Sequence, residues 1–243
     1  MTLAAQTPPP SVSAPPATVL DALRAELPAA MESALAPVPV FAVAHGQGRN
    51  LVTTRGKDSN PEVVFFPDRA AAESWRAEHA RTDPTGWADT RVAAYRLSDV
   101  ASRHLARVAA YRSRFQGSAT DVRAAEGLPA VVGSGPFACP VFVVRLSDGR
   151  YPTLVAKGAD PFVPVHLAHA DAEAMRRRTE AGLAAPTTAR VETMELSTVL
   201  RLMMETRSGI ATRFRPAASA ANVKAANEAW NRPDAAPEPP PQH

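Results

Sequence analysis

"PVFAVAHGQGR" at residues 39–49 returns as "PVFVVRLSDGR" at 140–150, and the reading of the whole chain turns on that match. Each stretch opens with a short apolar run, rich in β-branched and aromatic residues, that suits a buried strand. Each then reaches glycine where a hairpin needs a positive φ. A genuine repeat is collinear, so later stretches must match at nearly the same offset. "RVAAYRLSDV" at 91–100 answers "RVETMELSTV" at 190–199, and "VVFFPDRAAA" at 63–72 answers "VPVHLAHADA" at 163–172 more loosely. An ordered series of matches at one spacing points to two copies of a module, residues 37–110 and 138–207.

Periodicity parses each copy the same way. PVFAV and PVFVV form the first strand, LVTT and TLVA return from the hairpin, and VVFF and FVPV supply a third strand. Pro164 marks the third strand of the second copy as an edge or a bulge, because proline cannot donate to a ladder. A helix follows, capped by Asp68 in the first copy and opened near Asp171 in the second. VAAYRL and VETMEL make a fourth strand, and Ser98 and Ser197 stand where the caps of a last helix belong. The expected fold is therefore α+β: two tandem βββαβα repeats in pseudo-twofold relation, with Phe41 and Phe142 in the core.

The flanks read more simply. Residues 1–17 are rich in Pro and Ala and read as a disordered tail. From Thr18, the residues Leu20, Leu23, Leu27, Met31 and Leu35 recur at helical spacing, giving an amphipathic helix over 18–36 with Pro28 as a kink. Residues 111–137 carry glycines and read as the linker between copies. Within 208–243, an Ala-rich helix over 217–231 precedes the Pro-rich tail PDAAPEPPPQH.

Composition narrows the class. The chain has 243 residues and is 45% hydrophobic, enough to bury a core, and no apolar run reaches the length of a membrane span. Its net charge is only +3 and its arginines are scattered, which argues against a nucleic-acid face. A single cysteine excludes an internal disulfide framework. The first residues lack the basic start and apolar middle of a secretory signal, which points to a cytoplasmic protein.

No stretch carries a catalytic signature. His166, His169 and Asp171 in "HLAHAD" are the densest group of metal-ligand types, but a metal site needs a further converging partner, and an edge-strand histidine with a helix start explains them more simply. Cys139 precedes a buried strand and reads as a packed thiol. Arg176, Arg177 and Arg178 run around a helix and read as a solvated face. Trp75 falls in a core-facing pattern. The Gly-x-Gly pairs lack the glycine pattern of a phosphate loop, and no cofactor is expected. The polar residues shared by the two copies are hairpin, flank and cap positions, which weighs against an enzyme.

The helix Leu20–Ala36 leading into Pro37–Val43, then Val63–Ala72, "DPTGWADTRVAAYRLSDV" at 83–100, and Pro140–Val144 with Val191–Val199, resemble the Tic22-like family. Its members are soluble components of chloroplast inner-envelope import and their cyanobacterial relatives. The resemblance implies a non-enzymatic, chaperone-like protein that holds non-native chains during transport, acting in the periplasm or intermembrane space. The client would lie in an apolar groove between the copies lined by Leu20, Leu23, Leu27, Met31, Met203 and Met204, where methionine adapts to irregular partners. The expected partner is a protein or polypeptide, without nucleic acid and without membrane insertion. Two other readings stand beside it: a metal-dependent enzyme using His166, His169 and Asp171, and a secretion or plasmid accessory scaffold, because the unit is also similar to SseB-type modules.

Overall fold

A computed structural model describes residues 27–46, 50–55, 60–106, 112–155, 160–182, 187–205 and 213–231. The two tails, and with them Leu20 and Leu23, lie outside the described residues. The chain is a mixed α+β protein. Its first half runs α1 (Ala29–Leu35), β1 (Pro39–His45), β2 (Asn50–Leu51), β3 (Thr53–Arg55), β4 (Pro61–Phe65), α2 (Arg69–Thr82), β5 (Thr90–Arg96), α3 (Leu97–Ala106), β6 (Arg112–Phe115) and α4 (Ala119–Glu126). The second half runs β7 (Pro140–Leu146), β8 (Val163–His166), α5 (His169–Gly182), β9 (Ala189–Glu195), α6 (Leu196–Met204), β10 (Phe214–Ala217) and α7 (Ala220–Trp230).

The long antiparallel pairs are β1 with β5 and β7 with β9. Pro39 lies opposite Arg96 and His45 opposite Thr90; Pro140 lies opposite Glu195 and Leu146 opposite Ala189. β4 joins β1 through a bridge between Phe41 and Phe66, and β8 joins β7 where Phe142 meets His166. β6 then adds parallel to β4, and β10 parallel to β8. Phe41 and Phe142 are both buried, because alternate residues of β1 and β7 face an outer helical layer while the others face the middle of the molecule.

Three cores result. The largest is shared by the two halves: Met31, Leu35, Val40 and Phe65 from one, Val141, Val165, Leu196 and Met203 from the other. Two smaller outer cores lie on the opposite sheet faces, one around Phe41, Phe66 and Ala72, the other around Phe142, Ala172 and Val191. The helices α2 and α7 cover the first, and α4 and α5 cover the second.

Several local expectations change. The helix expected over 18–36 begins, among the described residues, at Ala29, because Pro28 holds an extended ψ of 137° and stands at the N-cap instead of kinking a longer helix. Asp68 does cap α2, accepting from the Ala71 N–H at 3.1 Å. Ser98 and Ser197, expected as caps, lie inside α3 and α6, which start one residue earlier, straight out of the preceding strands. Among the described residues, 153–155 make only the Leu154–Phe162 bridge, so no regular returning strand of the expected pattern is seen there. β8 is an interior strand, not an edge; Pro164 is tolerated because β7 pairs with β8 only at His166. Residues 111–137, expected as a linker, carry β6 and α4, and β10 precedes the C-terminal helix. No described helix is long and apolar enough to cross a membrane.

Candidate protein-binding site

The seam between the halves is where the leucine and methionine stripe goes. α1 packs against α3 and β10, so this one short helix touches elements of both halves. Met31 and Met203 are both 0% exposed, and Leu27 and Met204 are partly buried against the same core. The stripe thus enters the shared core from Leu27 onward. Leu27, Met31, Met203 and Met204 are part of the core that joins the halves and do not line an open groove among the described residues. The exposed large apolar residues lie elsewhere: Val132, Leu154 and Val155, the last 72% exposed.

His166, His169 and Asp171 occupy the outer face of the second sheet. His166 sits at the end of β8, buried, and its Nε2 has no hydrogen-bond partner among the described residues. Burial holds its pKa below the usual histidine value; Asp171 pulls the other way and Arg178 adds to the lowering. His169 is the first residue of α5; its ring lies edge-on to Phe142 at 5.2 Å, and its backbone N–H donates to Asp121 Oδ1 at 2.8 Å. Asp171 follows in the first turn of α5. Among the described residues no three His, Cys, Asp or Glu side chains converge as a metal-ligand set, so the cluster is not drawn together around a common centre.

Cys139 is fully buried and its thiol pKa is raised, first by burial, then by Glu195 and Asp121. That keeps it a thiol, which is the weak form of the nucleophile. Glu195 accepts the Cys139 N–H with both oxygens, at 3.1 and 3.2 Å, and its own pKa is raised by burial against those bonds. Arg176 spans Glu173 and Glu180 on one helix face. Trp75 packs on Phe66, with His79 stacked between it and Trp87 at 4.2 and 4.9 Å.

Sequence periodicity does not reveal Glu192. It is 2% exposed in the middle of β9, with Oε1 held by Arg190 at 2.6 and 2.9 Å and by Arg145 at 3.5 Å. The available signal is the alignment of the two halves, which puts Ala93 where Glu192 stands. A buried carboxylate tied to two arginines fixes local geometry more than it adds stability.

Comparison with known proteins bears on the fold as a whole. Tic22 of Anabaena, described as a protein-transport protein, superposes with a TM-score of 0.62 at 16% identity, covering 87% of this chain and 98% of that one. Tic22 from Plasmodium falciparum superposes with a TM-score of 0.64 at 10% identity, covering 82% and 96%. Among curated proteins no sequence matches the chain. At such identities the superpositions establish a shared fold. The model of the Tic22-like family matches residues 4–212, and this chain belongs to that family.

Proposed function

We propose that this protein is a non-enzymatic, chaperone-like binder of polypeptides in protein transport, and that α1 lifts away to open an apolar trough between α3, α6 and β10 that receives the client. The observation that carries the reading is the position of Met31 and Met203, two adaptable side chains wholly buried in the core that joins the halves, with one seven-residue helix across both. Membership of a family whose Anabaena relative is described as a protein-transport protein supports the same reading. Leu20 and Leu23 continue the stripe in sequence and lie outside the described residues. The metal-dependent reading gains no support from the placement of His166, His169 and Asp171.

The scaffold beneath this function is a duplicated unit with a pseudo-twofold relation. Support comes from the equal seven-residue registers of β1–β5 and β7–β9, and from the parallel additions of β6 and β10 at corresponding places. It extends beyond residues 110 and 207, because "SATDVRAAE" at 118–126 answers "SAANVKAAN" at 219–227.

The test is light scattering of an unfolding client without nucleotide, together with photo-crosslinking from a benzophenone side chain at Leu27 or Met204. The expected result is suppressed aggregation and crosslinks to the client from both positions. Unchanged aggregation without crosslinks would overturn the reading.

A further inference from the structure

β5 and β9 are the outer strands of the two sheets, built to the same register, yet they are finished differently. Along β9 the chain supplies its own cover. The Thr193 N–H donates to the Pro129 carbonyl and the Val131 N–H donates to the Thr193 carbonyl, each at 2.9 Å, so that Pro129–Val131 runs parallel to the strand as a short added strand. Under it Val191, Glu192, Thr193 and Met194 are all buried. The corresponding residues of β5, Val92 to Tyr95, are all half-exposed, and among the described residues β5 pairs with β1 alone.

The open edge has a defined register. The Leu97 N–H donates to Val38, which turns the odd-numbered residues of β5 toward β1 and the even-numbered ones outward. The indole of Trp230 confirms this by donating to the outward carbonyl of Ala94 at 3.2 Å. α7 runs on to Trp230, whereas its counterpart α4 stops at Glu126, so the side chain of Trp230 takes one acceptor where Val131 would have laid down backbone. Among the described residues, the Val92 N–H and carbonyl and the Ala94 N–H then take no backbone partner. Exposed Arg91 and Arg96 flank these positions, and Arg96 lies over the Trp230 ring.

We propose that the outer edge of β5 is a strand-addition site for an extended segment of a client polypeptide. The segment lies parallel to β5, with small or β-branched residues beside Val92 and Ala94 and an acidic residue toward Arg91 or Arg96. The second half carries this arrangement in its own chain: Pro-Ala-Val at 129–131 seals an edge of the same register. Backbone hydrogen bonds give such a site tolerance of many sequences, and the side chains on either side give it preference. This rests on the polypeptide-binding reading and names a second contact surface for it, apart from the trough under α1.

The probe is a synthetic peptide copying residues 128–133 with a glutamate added at each end, titrated into the full chain while amide hydrogen exchange is followed residue by residue. At saturation, exchange at Val92 and Ala94 should slow by about tenfold or more, while Thr193 stays protected throughout. Ala94→Pro removes an outward N–H without touching the ladder to β1 and should abolish the effect; Arg91→Glu with Arg96→Glu should weaken it where the proline variant fails to fold. Unchanged exchange at saturating peptide overturns the proposal. Protection of Val92 and Ala94 in the protein alone overturns it as well, assigning the edge to a second copy if dilution removes it, or to the chain's own tail if deleting residues 232–243 removes it. Suppressed client aggregation without protection at these amides sinks this site and leaves the trough reading standing.

Discussion

His166 stands where the first half has Phe66. Both residues bridge to the central phenylalanine of their sheet, Phe142 and Phe41. A phenyl ring there needs no partner, but an imidazole does, and His166 Nε2 has none among the described residues. The cost of such a buried orphan is about 1–3 kcal/mol. Because burial lowers the folded-state pKa, the folded protein binds fewer protons than the unfolded chain as pH falls from the ordinary value of 6.5. Stability is therefore full above that value and falls as pH drops from it through the lowered folded pKa. His166→Phe should raise stability by about 1–3 kcal/mol and flatten its dependence on pH below about 6.5. Urea melts at a series of pH values check this; an unchanged slope with pH would show that some other group sets the acid limit.

At the scale of elements, the two terminal helices cross between halves. α4 leaves the first sheet and packs on β7 and α5, while α7 leaves the second sheet and packs on β1 and β5. Each begins at a serine cap, Ser118 or Ser219, and each presents the residue three positions later to the other half. Asp121 accepts the first N–H of α5, and Asn222 accepts that of α2 at 3.3 Å while donating to the Pro67 carbonyl. Asn222→Ala should cost about 1–3 kcal/mol, since buried groups lose their partners, whereas Asn222→Asp keeps the acceptor for Arg69 and sacrifices only the donor. Thermal melts that rank alanine as no worse than aspartate would refute this account.

The first hairpin, α2, α5 and the long strands are legible because their periods are strong and their punctuation sits at the right spacing. β6, α4 and β10 are not. Arg-Ser-Arg-Phe and Phe-Arg-Pro-Ala are short strands that depend on parallel partners far along the chain, and an Ala-rich helix has little apolar period to detect. The signal for α4 lies in comparing the halves, at Ser118 with Ser219 and Asp121 with Asn222. The stripe of leucine and methionine is legible, but which side of that stripe faces inward depends on how the halves meet. The β5 edge is invisible to periodicity, because it depends on a covering strand that none of the described residues supplies.

Across the whole molecule, the shared core and the crossed helices predict that the halves unfold as one cooperative unit. Neither half buries its inner sheet face alone: Val40 and Phe65 lie in the same core as Val141 and Met194. The chain's three tryptophans give a way to measure this, because Trp75 and Trp230 pack in the outer core of the first half, and Trp87 meets Trp75 edge-on. Indole fluorescence therefore reports the first half, while far-ultraviolet circular dichroism reports both. Phe142 is 0% exposed in the outer core of the second half, away from any tryptophan contact. Phe142→Ala should cost about 3–5 kcal/mol, as for other buried phenylalanines. If the halves unfold together, the fluorescence midpoint in urea must move by the same amount as the dichroism midpoint. A fluorescence midpoint that stays in place while the dichroism splits into two transitions would show two independent domains. In that case the buried methionines of the seam would be a contact between domains, and α1 would no longer be the element that opens it.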